Sequence, residues 1–190
     1  CINMYMCCTA ATQVLQGIND YRLTSNLSSL ASNPGAQCVA KKMLNIYQGT
    51  GCSNSTGLDT TPGQQPEDPN YMTYLSSCNV NVKSVVQGIV LPTCVSSTAS
   101  SSVSLAVPYA VSNYTHDVAS SGVNSSIYVS AGIASTSDNK WFVLILATNA
   151  SDGDYSQDSP TSTSASASLH SSLLLGIIIS TMLLALFMHR

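Results

Sequence analysis

The chain has 190 residues, of which only 8% are charged, and a formal net charge of −3. So weakly charged and slightly acidic a chain excludes the basic stripe that nucleic-acid binding requires, and its densest basic pair is Lys41-Lys42. Serine and threonine take the places that charge fills in an ordinary soluble domain, so solubility needs another source, and attached sugar is one.

In chain order, residues 1–11 are apolar and end in small residues. They are read as the remnant of a secretory signal peptide, with cleavage near Cys8-Thr9-Ala10 or Ala11. Residues 12–22 predict a helix, because Val14, Leu15, Ile18 and Tyr21 recur on one face. Asn33-Pro34 supplies an N-cap and a proline at the first helical position, so a second helix runs from Pro34 to about Gln48. Its apolar stripe is Ala36, Ala40, Met43, Leu44 and Tyr47. Residues 49–70 form a long irregular stretch rich in glycine and proline, and a loop of this length needs fastening. Residues 71–78 predict a short helix, and residues 85–95 are apolar around Pro92 and Cys94. Residues 127–134 and 141–148 predict two strands of a hairpin, turned through 135–140. The second of them is apolar on both faces, which places it centrally in its sheet.

Cys38, Cys52, Cys78 and Cys94 are dispersed through the domain, and the chain has no CxxC pair. In a secreted domain four such cysteines imply two disulfides, with three connectivities left open. Cys38 lies in the second helix, positioned to staple it to a later segment, and Cys52 is the evident fastener of the long loop. Five N-x-S/T sequons stand at Asn26, Asn54, Asn113, Asn124 and Asn149. All five fall between or at the ends of the predicted elements, where a bulky glycan faces solvent.

Residues 173–188 are uncharged and largely apolar, shorter than the roughly twenty residues of a membrane-spanning helix. A run of small and polar residues, 159–172, precedes them. Small residues, a polar spacer and an apolar tail form the attachment pattern of a glycosylphosphatidylinositol (GPI) anchor. Counting back about eight to twelve residues puts the attachment at Ser164 or Ser162. The expected organisation is thus a signal remnant (1–11), a disulfide-containing extracellular domain (12–155), a Ser/Thr-rich attachment region (156–172) and an apolar signal tail (173–190). The expected location is the extracellular face of the plasma membrane, with the membrane as partner through the lipid anchor.

No catalytic, metal or cofactor constellation emerges. His116-Asp117 beside the Asn113 sequon reads as a solvated turn, and Asp152-Gly153-Asp154 as a plain turn without the further oxygens calcium requires. Glu67-Asp68 are adjacent and cannot face each other across a substrate as paired carboxylates do. Arg22 reads as a helix arginine bonded to loop carbonyls or to a carboxylate, with anion binding as the functional alternative. Tyrosines 21, 47, 71, 74, 109, 114, 128 and 155, with Trp141, offer a carbohydrate-stacking surface or, more ordinarily, half-buried core.

The segments GINDYR, NLSSL, AQCVAKKM, NVNVKS, LPTCV and AGIA followed by KWFVLILATN resemble a plant family of uncharacterised GPI-anchored cell-surface proteins. The resemblance covers about residues 12–155 together with the four cysteines, and extends to the Ser-rich apolar tail. A more distant similarity, carried by Asn19-x-x-Arg22 and by Gly132 ahead of the Trp141 strand, is to the CAP group of cysteine-rich secretory and pathogenesis-related proteins. It implies an α+β fold: a small CAP-like α/β/α sandwich with N-terminal helices and a late antiparallel hairpin, to which the tail adds a C-terminal apolar helix. It does not imply the cleft chemistry of that group, which uses two His and two Glu, because His116 and Glu67 are the only residues of those types in 12–155. The expectation is a non-enzymatic surface protein that binds wall polysaccharide, another surface protein or an apolar ligand. The alternative is a wall hydrolase using Glu67 or His116.

Overall fold

A computed structural model describes residues 9–52, 69–96, 98–116 and 120–158. The expectations for Asn54, Glu67, Asp68, Asp117, Ser162, Ser164 and the 173–188 tail lie outside the described residues, as does most of the 1–11 segment.

Helix α1 (Ala10–Thr24) begins at Ala10 instead of Thr12, because Thr9 serves as its cap. The Thr9 side chain accepts from the Thr12 amide at 3.3 Å, and Ala10 and Ala11 are buried. The expected 11/12 boundary therefore falls inside the first turn. At its other end Asn26 takes a left-handed φ of 57°. The Leu27 amide then reaches Arg22 O and the Asn26 amide Leu23 O, the paired bonds of a Schellman stop. A two-residue strand β1 (Ala31–Ser32) leads into α2 (Pro34–Tyr47). The predicted cap is there: Asn33 Oδ1 accepts from the Ala36 amide at 2.9 Å. Its Nδ2 donates to Asp154 O at 2.8 Å, tying the helix start to the end of the domain.

Helix α3 (Tyr71–Ser77) matches the short helix expected there. A 3-10 turn, Val82–Val85, follows, and then β2 (Ile89–Cys94). Next come α4 (Val103–His116) and the short α5 (Ser120–Val123), neither of which the sequence pattern predicted. The hairpin β3 (Ser130–Ser135) and β4 (Trp141–Ala147) completes the sheet. Strand order is β1-β3-β4-β2, with β1 parallel to β3 and the other pairs antiparallel. The apolar β4 is central and wholly buried, as its two apolar faces predicted.

Two cores cover the two faces of this sheet. On one, Val14 and Ile18 of α1 meet Ala106, Ala110 and Tyr114 of α4 over Leu91, Ile133 and Leu144. On the other, Val39 and Met43 of α2 and Leu75 of α3 pack on Val90, Val143 and Ile145. Alternate residues of one strand thus serve opposite cores, as the period of two requires. The result is an α+β domain of three layers around a mixed sheet.

Two disulfides fasten the second core. Cys38–Cys78 staples α2 to the end of α3, and Cys52–Cys94 ties the start of the long loop to β2. The loop start has further anchors, since Thr50 O accepts from Lys140 Nζ at 2.6 Å and Tyr47 stacks on Trp141 at 4.6 Å. Cys52 and Cys94 stand 42 residues apart in sequence, so opening this bridge frees a long closed loop in the unfolded chain. The paired change Cys52→Ser with Cys94→Ser should cost about 3 kcal/mol. The check is the denaturant midpoint of the oxidised protein against the variant, and equal midpoints would show that the bridge does not hold the loop.

Candidate functional site

A surface groove of about 410 Å³ lies where α3 ends, lined by Met72, Leu75, Ser76, Asn79, Val80, Asn81, Val82 and Asp158. Its construction follows from the local sequence. Tyr71, Leu75 and Cys78 recur on the inner side of α3 and are buried, which leaves Met72 and Ser76 on the outer side. The helix stops at Asn79, whose φ of 53° is left-handed. The Val80 amide bonds Leu75 O at 2.9 Å and the Asn79 amide bonds Ser76 O at 3.0 Å, a second Schellman stop. From there polar and apolar residues alternate through Asn79-Val80-Asn81-Val82. Val80 turns in, at 5% exposure, while Val82 stays out at 42%. Asn81 Oδ1 accepts from the Lys83 amide at 2.9 Å and starts the 3-10 turn.

The last described segment closes the groove. Val80 bridges Gln157, and the Asp158 amide donates to Asn79 O at 2.7 Å. Gln157 Nε2 donates to Cys78 O at 2.7 Å. Because Cys78 is bonded to Cys38, the reversal at Asn79 is held against α2. Beneath it Tyr71 and Tyr155 share a hydrogen bond at 3.1 Å. Burial pushes the Tyr71 phenol up to about 12 and Tyr155 well above the usual tyrosine value. The pair is therefore neutral and structural. Within the groove the Asn79 side chain, the Asn81 amide nitrogen and the Asp158 carboxylate have no partner among the described residues. Its lining combines apolar side chains, Met72, Leu75, Val80 and Val82, with amide, hydroxyl and carboxylate groups, and among the described residues no Lys or Arg lines it.

The residues singled out in the sequence lie elsewhere, and the structure does not bring them together. Arg22 is 1% exposed. Its Nε donates to Ser28 O at 2.9 Å, Nη1 to Val123 O and to Ser125 O at 3.1 Å, and Nη2 to Tyr128 O at 3.1 Å. Burial lowers its pKa, but guanidinium stays charged, and carbonyls surround it. His116 is the exposed last residue of α4, with Nδ1 2.8 Å from Thr115 Oγ1. Asp152-Gly153-Asp154 forms the expected turn, where Asp152 accepts from Gln87 Nε2 at 2.7 Å and Asp154 from the Ser156 amide at 3.0 Å. Asp138 serves the hairpin turn, accepting from Thr136 Oγ1 and the Lys140 amide, and the Thr136 hydroxyl holds its pKa below the usual carboxylate value. Asp20 accepts from Gln16 Nε2 along α1. Among the described residues no group of three or more His, Cys, Asp or Glu could hold a metal ion.

Of the tyrosines, Tyr71, Tyr114, Tyr128 and Tyr155 are buried and so is Trp141, whereas Tyr109 is exposed. Tyr21, Tyr47 and Tyr74 are half-buried, and among the described residues no aromatic side chain lines the groove. Among the sequons Asn26, Asn124 and Asn149 are exposed between elements. Asn113 corrects the expectation that every sequon lies at or beyond an element's end. It stands inside α4, half-buried, because that stretch is helical where the sequence pattern predicted none. No helix among the described residues is long and apolar enough to cross a membrane.

Comparison with known proteins gives three matches. A family model described as the uncharacterized GPI-anchored protein At5g19230-like domain matches residues 11–146. An Arabidopsis thaliana protein named uncharacterized GPI-anchored protein At3g06035 is 35% identical over 148 residues, which cover 78% of this chain and 70% of that protein. The crystal structure of a cysteine-rich secretory protein from Staphylococcus aureus is similar with a TM-score of 0.48 and 13% identity. That match covers 76% of this chain, which spans 40% of that structure's length.

Proposed function

Because this chain belongs to the At5g19230-like family of uncharacterised GPI-anchored proteins, we propose that it is a lipid-anchored glycoprotein of the outer cell surface whose domain binds neutral wall polysaccharide without turning it over. One observation carries the binding reading. The groove at the end of α3 combines apolar side chains with hydrogen-bonding groups that have no partner among the described residues, on a segment tied to α2 by the Cys38–Cys78 bridge. Sugar rings present an apolar C–H face and hydroxyls that both donate and accept. Met72 and Val82 suit the first, and the Asn79 and Asn81 amides with the Asp158 carboxylate suit the second. With a carboxylate and, among the described residues, no cation lining the groove, polyuronides are disfavoured relative to neutral glycans. The use of Asp20, Asp138, Asp152 and Asp154 as acceptors within turns and helix faces supports binding over hydrolysis.

A glycan array probed with the released ectodomain tests this reading. Met72→Ala and Asp158→Ala should each weaken binding about tenfold, about 1.4 kcal/mol, without lowering the melting temperature. Binding unaltered by both would place the ligand elsewhere.

The anchor rests on the attachment pattern at 159–188 and on the family. Phosphatidylinositol-specific phospholipase C should release the protein from membranes, and residues 173–188 should be missing from the mature chain. Finding those residues in the mature polypeptide by mass spectrometry would overturn the anchored reading.

A further inference from the structure

Asn113-Tyr114-Thr115 satisfies the acceptor rule for N-linked sugar. The sugar attaches to the asparagine Nδ2, replaces one of its two hydrogens and needs open space around it. The fold engages the nitrogen and leaves Asn113 half-buried. Among the described residues strand β2 is an outer strand of the sheet, paired with β4 alone, and outer strands need their spare backbone groups covered. Helix α4 supplies part of that cover. Asn113 Nδ2 donates to Thr93 Oγ1 at 2.8 Å and to Cys94 O at 3.3 Å, which engages both of its hydrogens. Next to it the Tyr114 hydroxyl donates to Leu91 O at 3.0 Å.

The groups that Asn113 engages and its sequon neighbours are packed. Thr93 and Tyr114 are fully buried, and Thr115 is 4% exposed. The hydroxyl of Thr115, the third sequon residue, is 2.9 Å from Val111 O, one turn back along its own helix. Cys94, whose carbonyl Asn113 engages, is also the β2 end of the Cys52–Cys94 bridge. The other described sequons differ in kind. Asn26 is the exposed left-handed residue that ends α1, and Asn149 is exposed beyond β4. Asn124 is exposed, with Nδ2 3.3 Å from the Tyr21 hydroxyl at the surface.

We propose that Asn113 is not a glycan acceptor in the native protein but the latch that closes α4 onto the outer strand β2, so that docking of α4 and glycosylation at this site exclude each other. A chain that receives sugar here before α4 docks cannot make the Thr93 and Cys94 contacts. It should stay among incompletely folded molecules, while the native pool carries sugar at Asn26, Asn124 and Asn149 and none at Asn113.

Two variants of the full chain, expressed in a secreting eukaryotic host, separate the roles. Thr115→Val abolishes the acceptor rule but keeps the asparagine amide and nearly the same buried shape. Asn113→Asp abolishes the rule and also the donor that Thr93 and Cys94 use. As a latch, Asn113 predicts that Thr115→Val is secreted with unchanged gel mobility and nearly unchanged melting temperature. Asn113→Asp should melt about 5 °C or more lower, or fail to be secreted. Glycopeptide mass spectrometry of the native secreted protein should recover the Asn113 peptide unmodified. A faster-migrating Thr115→Val protein, a sugar-bearing Asn113 peptide in native material, or an Asn113→Asp protein as stable as the wild type would each overturn the proposal.

Discussion

Gly132→Ala should cost at least about 4 kcal/mol and leave little native protein, the largest effect expected of any single methyl group in this domain. Gly132 lies in β3 where α2 crosses it. A Cβ there would sit 2.0 Å from the Gln37 backbone nitrogen, 2.2 Å from the Ala36 carbonyl carbon and 2.6 Å from the Gln37 Cα. All three are backbone atoms, so no rotamer change relieves the overlap, and either the helix or the strand must move. α2 is pinned at its start by Asn33 to Asp154 O and within by Cys38 to Cys78. β3 is fixed by six register pairs with β4. Neither can shift without opening the second core. Gly51→Ala is the matched control, because a Cβ there meets nothing within 4 Å. The check is secreted yield and denaturant midpoint of both variants. A Gly132→Ala protein with the wild-type midpoint would show that α2 does not sit on β3 as described.

Arg22→Met should cost about 4 kcal/mol, and Arg22→Lys nearly as much. The guanidinium joins three separate pieces of chain: Ser28 after α1, Val123 and Ser125 at the end of α5, and Tyr128 before β3. Removing it strands carbonyls that water cannot readily reach, each costing about 1–3 kcal/mol when fully deprived. Some of that is recovered at the partly buried Ser28 and Ser125, hence the lower total. Lysine restores the charge but not the planar fork, so one ammonium cannot reach all four acceptors. Leu23→Ala, next to it but 57% exposed, should change stability by less than about 0.5 kcal/mol. Thermal or urea unfolding measures all three. If Arg22→Met matched Leu23→Ala, the carbonyl clamp would not be what joins α1 to the α5–β3 connection.

What could be read from the sequence was what short-range chemistry decides. The Asn33-Pro34 start of α2 was legible because cap and proline act within one helical turn. The β3–β4 hairpin was legible from two apolar runs around a polar turn. For Arg22 the sequence left loop carbonyls, a carboxylate or an anion open, and the structure selects carbonyls, with two of the three attachment points about a hundred residues away. Helix α4 was missed for a physical reason. Its inner stripe is Ala106, Ala110 and Tyr114, mostly small residues, among serines and around Pro108, and tertiary packing against α1 and the sheet stabilises it. That omission left Asn113 looking like a loop residue.

The disulfide pairing was not legible either, since four cysteines allow three pairings and the fold selects one. The groove escaped notice because its two walls are joined by the Val80–Gln157 bridge, a contact between residues far apart in sequence. A local trace existed in the alternation of Asn79-Val80-Asn81-Val82, which needed the left-handed stop at Asn79 to become a rim.

The central claim is binding without turnover, and mass balance on the ligand tests it most directly. The glycosylated ectodomain is incubated with neutral wall oligosaccharides that it retains in equilibrium dialysis, and the recovered sugars are sized by mass spectrometry. A working hydrolase turns over at about 1–10³ s⁻¹, so an enzyme using His116 or Glu67 would leave shortened products within hours. The account predicts full recovery of intact oligosaccharide, with retention reduced by Met72→Ala and Asp158→Ala and unaffected by His116→Ala and Glu67→Gln. Shortened products that disappear with His116→Ala or Glu67→Gln would contradict it and make the protein a hydrolase.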